Sequence, residues 1–263
     1  MSSSKTITLP VTLPRRFLVG MLTVLAAAGA ALAPPAALAQ PAARPEPAAL
    51  AEAPSLRIGI IGTGNIGGAL ARHWAGAGHE LVISSRNPDE LEPLAALLGP
   101  RVRAGTPREA AEFGDVVLIS VPYGAMPQIG RDFAALLAGK VVLDTGNPRP
   151  GRDGDIVEAS LAKGTGIATQ EFLPGALVVR AFNCIPAATL ANEPNRQPAR
   201  VAIPLAGDDA GALAVAIRLV DDAGFDGVVV GPLETARHFD LGQPLAQGNL
   251  SAAELKDRIA DVL

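Results

Sequence analysis

The chain has 263 residues, a formal net charge of −4 and one cysteine, Cys184. A single Cys excludes an intrachain disulfide, and one Cys with three scattered His gives no metal-ligand spacing. No basic block appears, so no nucleic-acid footprint is expected.

The first 55 residues differ from the rest. A polar start leads to Arg15-Arg16, then to an apolar run from Phe17 to Ala33, then to Pro34-Pro35 and the small-residue site Ala37-Leu38-Ala39. That order is the layout of a secretory signal, with cleavage expected after about Ala39 and a periplasmic destination. An uncleaved anchor is the alternative, but the run has 17 residues, short for a span that needs roughly 20. Arg15-Arg16-Phe17-Leu18-Val19 fits a loose twin-arginine pattern, with the general secretory route as the other option. Removing residues 1–39 removes Lys5, Arg15, Arg16 and no acid, which takes the net charge from −4 to −7. Residues 40–55 are rich in Ala, Pro and Glu without a periodic apolar face, and read as a flexible linker. The folded domain is expected over 56–246, with a tail helix over 247–263.

Strand and helix then alternate. Arg57–Ile61 reads as a strand. Ile66–Gly76 reads as a helix with Ile66, Leu70 and Trp74 on one face. Glu80–Ser84 is a second strand. Asp89–Leu98 is a helix opened by Asn87 as cap and Pro88 at the first position. Val102–Ala104 is a short strand. Thr106 caps the next helix. Asp115–Val121 and Lys140–Asp144 are almost wholly apolar, as strands covered on both faces should be. Ala125–Leu137 between them is helical. After a polar loop, Thr145–Asp155, a helix is expected over Asp155–Lys163 and one further turn over Thr169–Leu173. Ala176–Asn183, Val201–Ala206 and Phe225–Val230 read as strands, with an amphipathic helix over Ala210–Ala223. The pattern predicts an α/β, doubly wound, mostly parallel sheet in a single domain with a small C-terminal appendage.

Gly62-Thr63-Gly64-Asn65-Ile66-Gly67 fits G-x-G-x-x-G between a strand and a helix. Gly62 permits the tight turn, Gly64 lets a pyrophosphate approach the backbone, and Gly67 lets the helix pack close. The helix N-terminus offers unpaired N–H groups and a partial positive charge to the anion. The tip of the second strand reads Ser84-Ser85-Arg86 where NAD-binding units carry an acid. A hydroxyl followed by a guanidinium suits the 2′-phosphate of NADP.

The stretch "IGIIGTGNIGGALARHWAGAGHELVISSR" resembles the N-terminus of the NADPH-dependent F420 oxidoreductase family. "DVVLISVPYGAM", "VVLDTGNP", "LPGALVVRAFNCIPAATLAN" and "LAGDDAGALAVAIRLVDDAGFDGVVVGPLETAR" fit as well, so the likeness runs from about Leu56 to Arg237. The resemblance implies NADP(H) as cofactor and hydride transfer to a flavin-like small molecule, F420 in the founding members. It implies that Thr63, Gly64, Asn65 and Ile66 contact the pyrophosphate and that Ser85 and Arg86 hold the 2′-phosphate. Val121 and Pro122 would lie near the ribose and nicotinamide. Asn147 and Pro148 would edge the nicotinamide pocket, as would Ala181 to Ile185. The cofactor carries the chemistry and the protein orients it, so no dedicated acid or base is expected.

Other residues read as structural. His73 is an exposed helix residue, His79 caps the turn into the second strand, and His238 stands near the pocket edge or the subunit surface. Cys184 is a packing residue, Asp144 a turn hydrogen-bond acceptor, Tyr123 a candidate to pack on a ring, and Asp208-Asp209 a strand end and helix cap. Two other readings stay open. One is an NADP-binding module without turnover, suggested by the missing acid or base and by export. The other is imine reduction, disfavoured because only about 20 residues follow Asp240 where a long dimerisation domain is needed. A small-molecule acceptor is the expected partner, with no membrane contact after signal cleavage. A homodimer stays open as the assembly state.

Overall fold

The computed structural model describes residues 54–263. The signal and most of the linker expected over 1–53 lie outside the described residues. Among the described residues eight strands form one sheet: β1 (Arg57–Ile61), β2 (Glu80–Ser84), β3 (Val102–Gly105), β4 (Val116–Ile119), β5 (Val141–Asp144), β6 (Leu177–Arg180), β7 (Ala202–Gly207) and β8 (Asp226–Gly231). Their order is β3-β2-β1-β4-β5-β6-β7-β8. All neighbours run parallel except β6 and β7. The order reverses between β1 and β4, which makes a topological switch point at the C-terminal ends of those strands.

The helices are α1 (Asn65–Gly76), α2 (Glu92–Leu98), α3 (Pro107–Phe113), α4 (Met126–Leu137), α5 (Ile156–Lys163), α6 (Thr165–Phe172), α7 (Ala187–Asn192), α8 (Ala210–Asp222) and α9 (Ala252–Val262). On one face of the sheet α1 and α8 bury Leu70, Trp74, Leu219 and Phe225. Burying each such side chain contributes about 1.5–3 kcal/mol. The Trp74 indole N–H donates to Leu219 O at 2.8 Å, so its one polar atom is satisfied. On the other face α3, α4 and the α6 region bury Ala110, Met126, Ile129 and Leu173. A third cluster sets Phe239 and Leu255 of the C-terminal segment against β7 and β8. Ser251 and Glu254 close a capping box at the start of α9. Among the described residues no helix is long and apolar enough to cross a membrane.

Several elements differ from the sequence reading, each for a local reason. The helix expected over Asp89–Leu98 begins as a 3-10 turn, Pro88–Leu91, and becomes α-helical only at Glu92. Pro93 has no N–H to donate to the Asp89 carbonyl, so a continuous α-helix lacks that bond. Asn87 makes no side-chain cap; its amide donates to Glu90 Oε1 at 3.0 Å. Thr106 does cap α3, in a full capping box with Glu109. Asp209 caps α8 through the Ala212 N–H at 2.7 Å. The single turn expected over Thr169–Leu173 is the end of a helix that starts at Thr165. The strand expected over Asp115–Val121 ends at Ile119, and that over Ala176–Asn183 ends at Arg180. Of the residues freed beyond these two ends, Ser120, Val121, Phe182 and Asn183 line the cleft described next.

Candidate functional site: a cleft along the carboxyl ends of the strands

The glycine-rich turn joins β1 to α1. Gly62 has φ +97°, and a Cβ there would lie 2.4 Å from Ser120 O. A Cβ on Gly67 would lie 2.1 Å from Gly62 O, so only glycine lets α1 start this close to the strand. Around Gly64 no atom stands within 4 Å of an added Cβ, leaving its outer side open. The Gly62 and Thr63 N–H groups and the Thr63 hydroxyl all donate to Ser84 O, at 3.1, 3.1 and 3.0 Å. Thr63 therefore ties the turn to β2. The first helical bond runs from Gly68 N to Gly64 O at 2.7 Å. Asn65, Ile66 and Gly67 thus present N–H groups without intrahelical partners. These three are the donors available to an anion.

From Gly64, Asn65 and Ile66 a cleft of about 630 Å³ runs past Ser120, Val121 and Pro122, then Thr145, Gly146 and Asn147, to Phe182–Pro186. Gly64 and Asn65 also line an adjoining depression with Thr63 and Arg72. The cleft therefore crosses the ends of β1, β4, β5 and β6 in sheet order. Phe182 has φ +58°, an uncommon conformation for a non-glycine residue. It seats its ring edge-on to Trp74, with centroids 6.4 Å apart.

The structure separates the expected site residues into wall and support. Gly64, Asn65, Ile66, Val121, Pro122 and Asn147 line the main cleft. Gly62 and Gly67 shape the turn behind it. Pro148 is buried beside the wall. Ala181 is fully buried and donates its N–H to Asp144 O at 3.2 Å, so it holds the wall while Phe182 to Ile185 form it. Ser85 and Arg86 line neither depression; they follow the β2 end to which the glycine turn is tied. The Ser85 hydroxyl donates to Asn87 O at 2.8 Å and accepts from Asn87 N–H at 3.1 Å. The Arg86 side chain is exposed.

Behind the floor lies a buried polar network that the sequence reading missed. Asp144 and Arg180 are register partners at the ends of β5 and β6, and both are fully buried. Arg180 Nη1 donates to Asp144 Oδ2 at 2.9 Å and to Gly146 O at 2.6 Å. Nη2 donates to Asp240 Oδ1 at 3.2 Å. The Gly146 N–H donates to Asp144 Oδ1 at 2.8 Å, so both sides of that residue are gripped. Thr169 donates to Asp144 at 2.7 Å. Thr165 donates to Asp240 through its N–H and its hydroxyl. Burial opposes the Arg180 charge, but Asp144 and Asp240 beside it carry its pKa above the usual guanidinium range. One signal was visible: two apolar strands, "VVLD" and "LVVR", end in opposite charges.

Tyr123 belongs to this network rather than to the cleft. Its hydroxyl lies 3.2 Å from Thr165 O and 3.1 Å from Thr169 Oγ1, and its ring packs edge-on to Phe172. Burial, followed by the Asp144 charge, pushes its pKa up to about 12. Cys184 lines the cleft, yet burial pushes its thiol up to about 12, which suppresses the nucleophilic thiolate. His73 is half-buried, and its Nε2 donates to Leu190 O at 2.7 Å. His79 Nδ1 accepts from Leu56 N–H at 3.1 Å, so Nε2 carries the proton shared with Asp222 at 2.9 Å. His238 lies outside the cleft wall.

Asn147 and Asn183 form a pair at the wall. Asn147 Nδ2 donates to Asn183 O at 2.6 Å, and Asn183 Nδ2 donates to Phe239 O at 2.8 Å. Their Oδ1 atoms are buried without a protein donor.

A glycine turn with free helix N-terminal amides, set at the switch point of a doubly wound sheet, defines a dinucleotide-binding domain of Rossmann type. Residues 57–148 match the family described as NADP oxidoreductase, coenzyme F420-dependent. A crystal structure of a hypothetical protein from Sinorhizobium meliloti is 30% identical, with a TM-score of 0.64, covering 74% of this chain and 95% of that one. The F420-dependent NADP reductase of Methanothermobacter thermautotrophicus is 29% identical over 206 residues, covering 72% of this chain and 87% of that protein. Metalloreductase STEAP3 of Rattus norvegicus is 28% identical over 195 residues, covering 72% of this chain. The match spans only 36% of that relative's length. The chain belongs to the F420-dependent NADP oxidoreductase-like family, a family of NAD(P)-dependent oxidoreductases.

Proposed function

We propose that the protein transfers hydride between NADP(H) and a planar, flavin-like or F420-like small molecule. The continuous cleft carries this reading. It begins at the α1 N-terminus, at Gly64, Asn65 and Ile66, and ends in a wall of Phe182, Asn183, Cys184 and Ile185. The pyrophosphate would sit at the α1 N-terminus, where N–H donors and the helix dipole favour negative charge. Nicotinamide would lie over β4 and β5, beside Val121, Pro122 and Asn147. The orphaned Oδ1 atoms of Asn147 and Asn183 are buried; turned toward the cleft, they would accept from the N–H groups of a carboxamide or a ring edge. Arg86 would pair with the 2′-phosphate, with Ser85 beside it once its hydroxyl turns from Asn87 O.

Hydride transfer between two stacked rings requires close approach and a dry site, supplied by positioning rather than by an acid or base. Among the described residues the cleft wall contains no Asp, Glu, His or Lys. The same observation favours the second reading, an exported NADP-binding module without turnover. We further propose that export follows Arg15-Arg16 and cleavage near Ala39; a twin-arginine route would carry the folded protein with its cofactor.

One preparation tests these points. The mature protein is purified from the periplasm, its N-terminus read by mass spectrometry, and co-purifying nucleotide identified. NADPH oxidation is then followed with flavins, F420, quinones and a ferric chelate. Reduction of a planar acceptor is expected, and bound NADPH without reduction of any acceptor would establish the module instead. Calorimetry should show NADPH bound well above NADH. Arg86→Ala should cost NADPH about 1.5–3 kcal/mol, the range for a charged hydrogen bond, with little change for NADH. Equal affinities in the unaltered protein would remove the 2′-phosphate assignment.

A further inference from the structure

The turn after β5 carries two arginines to the cleft, and it is held from several sides. Asp153 is 6% exposed. Its carboxylate accepts from the Arg149 N–H at 2.7 Å and from Arg152 Nε and Nη2 at 2.9 and 2.6 Å. Arg152 Nη2 also donates to Asn147 O at 2.9 Å, which joins the turn to the wall. On the opposite side Gly124 packs so close that a Cβ there would lie 3.0 Å from Asp153 Cα. The turn therefore has a buried anionic anchor and a fixed course. It delivers Arg149 and Arg152 to the cleft wall.

Among the described residues these two are the only charged ones lining that cleft, and Arg72 is the only one lining the adjoining depression. Neither has a carboxylate, although the chain carries a net charge of −4. The Arg149 side chain enters no hydrogen bond or ion pair among the described residues. In Arg152, Nη1 is outside the bonds to Asp153 and Asn147.

Position separates these groups from the cofactor's own phosphates. The pyrophosphate donors follow β1, and Arg86 follows β2. The arginine turn follows β5, two strands from β1 on the opposite side. At about 4.8 Å per strand that is roughly 10 Å toward β6. We infer that Arg149 and Arg152 recognise an anionic group, a phosphate or a carboxylate, on the acceptor. A guanidinium fork matches such an oxyanion with paired N–H donors. The unpaired Arg149 makes the main contact, and Arg152 adds Nη1 from a fixed position. The inference rests on the hydride-transfer reading and narrows its acceptor to a planar ring with an anionic tail.

The test compares three flavins that share a ring and differ in the tail: riboflavin, FMN and flavin-10-acetic acid. Binding to the NADP-loaded protein is measured by fluorescence quenching, for the unaltered chain and for Arg149→Gln. The unaltered chain should bind an anionic flavin at least tenfold more tightly than riboflavin. FMN alone gaining that advantage identifies a phosphate site, and both anionic flavins gaining it identify a general oxyanion site. Arg149→Gln should erase the difference and leave NADPH affinity as it was, while Arg149→Lys restores part of it. Equal binding of all three flavins overturns the inference and leaves the hydride-transfer proposal standing. So does an advantage that survives in Arg149→Gln. Loss of NADPH affinity in Arg149→Gln assigns the arginine to the cofactor and overturns it too. Failure of all three to bind removes the flavin-like acceptor together with the inference.

Discussion

At the β1 end of the cleft the polar groups are backbone amides on three consecutive residues, Asn65 to Gly67. At the β5–β6 end they are side chains of Asn147, Arg149, Arg152 and Asn183. Asp153 holds the arginine turn, Asp144 and Arg180 grip Gly146 beside Asn147, and Phe239 O accepts from Asn183 next to Asp240, the second partner of Arg180. The first end is built within one short segment and requires glycine. The second assembles parts that are up to about a hundred residues apart in the chain and requires buried charge. A cradle of backbone donors tolerates many side chains but few extra atoms. A wall of side chains tolerates change at the surface but not the loss of a buried partner.

The largest effect should come from breaking the second end. Arg180→Met leaves Asp144 and Asp240 without their shared cation, and loss of one partner from a buried pair costs about 3–5 kcal/mol. Urea unfolding should show a loss of unfolding free energy of that size. A loss below about 1 kcal/mol would mean that solvent replaces the guanidinium, and the contrast between the two ends would weaken.

Breaking the first end should cost less stability and more binding. Gly67→Ala places a methyl group 2.1 Å from Gly62 O, and overpacking of this kind costs about 1–3 kcal/mol. The turn must shift, so NADPH affinity should fall by at least tenfold, about 1.4 kcal/mol. Calorimetry with NADPH reads this directly. An alanine variant that binds normally would show that the helix can retreat without moving its amides.

The smallest effect concerns acid and the arginine turn. Burial opposes the Asp153 charge, but the Arg152 side chain and the Gly124 and Arg149 amides hold its pKa below the usual carboxylate range. A lowered folded-state pKa stabilises the fold above the unfolded value, about 3.9. That contribution is lost as pH falls through the folded value. Stability of the unaltered chain should therefore drop more below about pH 4 than that of Asp153→Asn. Parallel curves in an acid titration would detach Asp153 from the turn's anchoring.

Much of the sheet was legible in the chain. Buried parallel strands are apolar throughout, and "IGII", "LVIS", "VVLI" and "VVLD" stand out between turn residues. The glycine spacing identified the cradle because each glycine answers a local steric demand. Local pattern was silent where distance decides. Nothing in "FLPGALVVRAFNC" marks Ala181 as support and Phe182 as wall; that follows from a strand ending at Arg180 and a left-handed residue two positions on. The helix α7 and the antiparallel placement of β7 had no local signal either.

The sequence by itself determined the doubly wound sheet, its glycine turn and the missing acid at the β2 tip, because period, turn chemistry and cap residues act over a few positions. Only the tertiary structure decided the far end of the cleft. A buried Arg180 is tolerable only where Asp144 arrives by strand register and Asp240 by a distant turn. An arginine pair becomes a recognition element only where the sheet carries it to a cleft without acids. Both depend on electrostatics between residues that the chain order keeps apart.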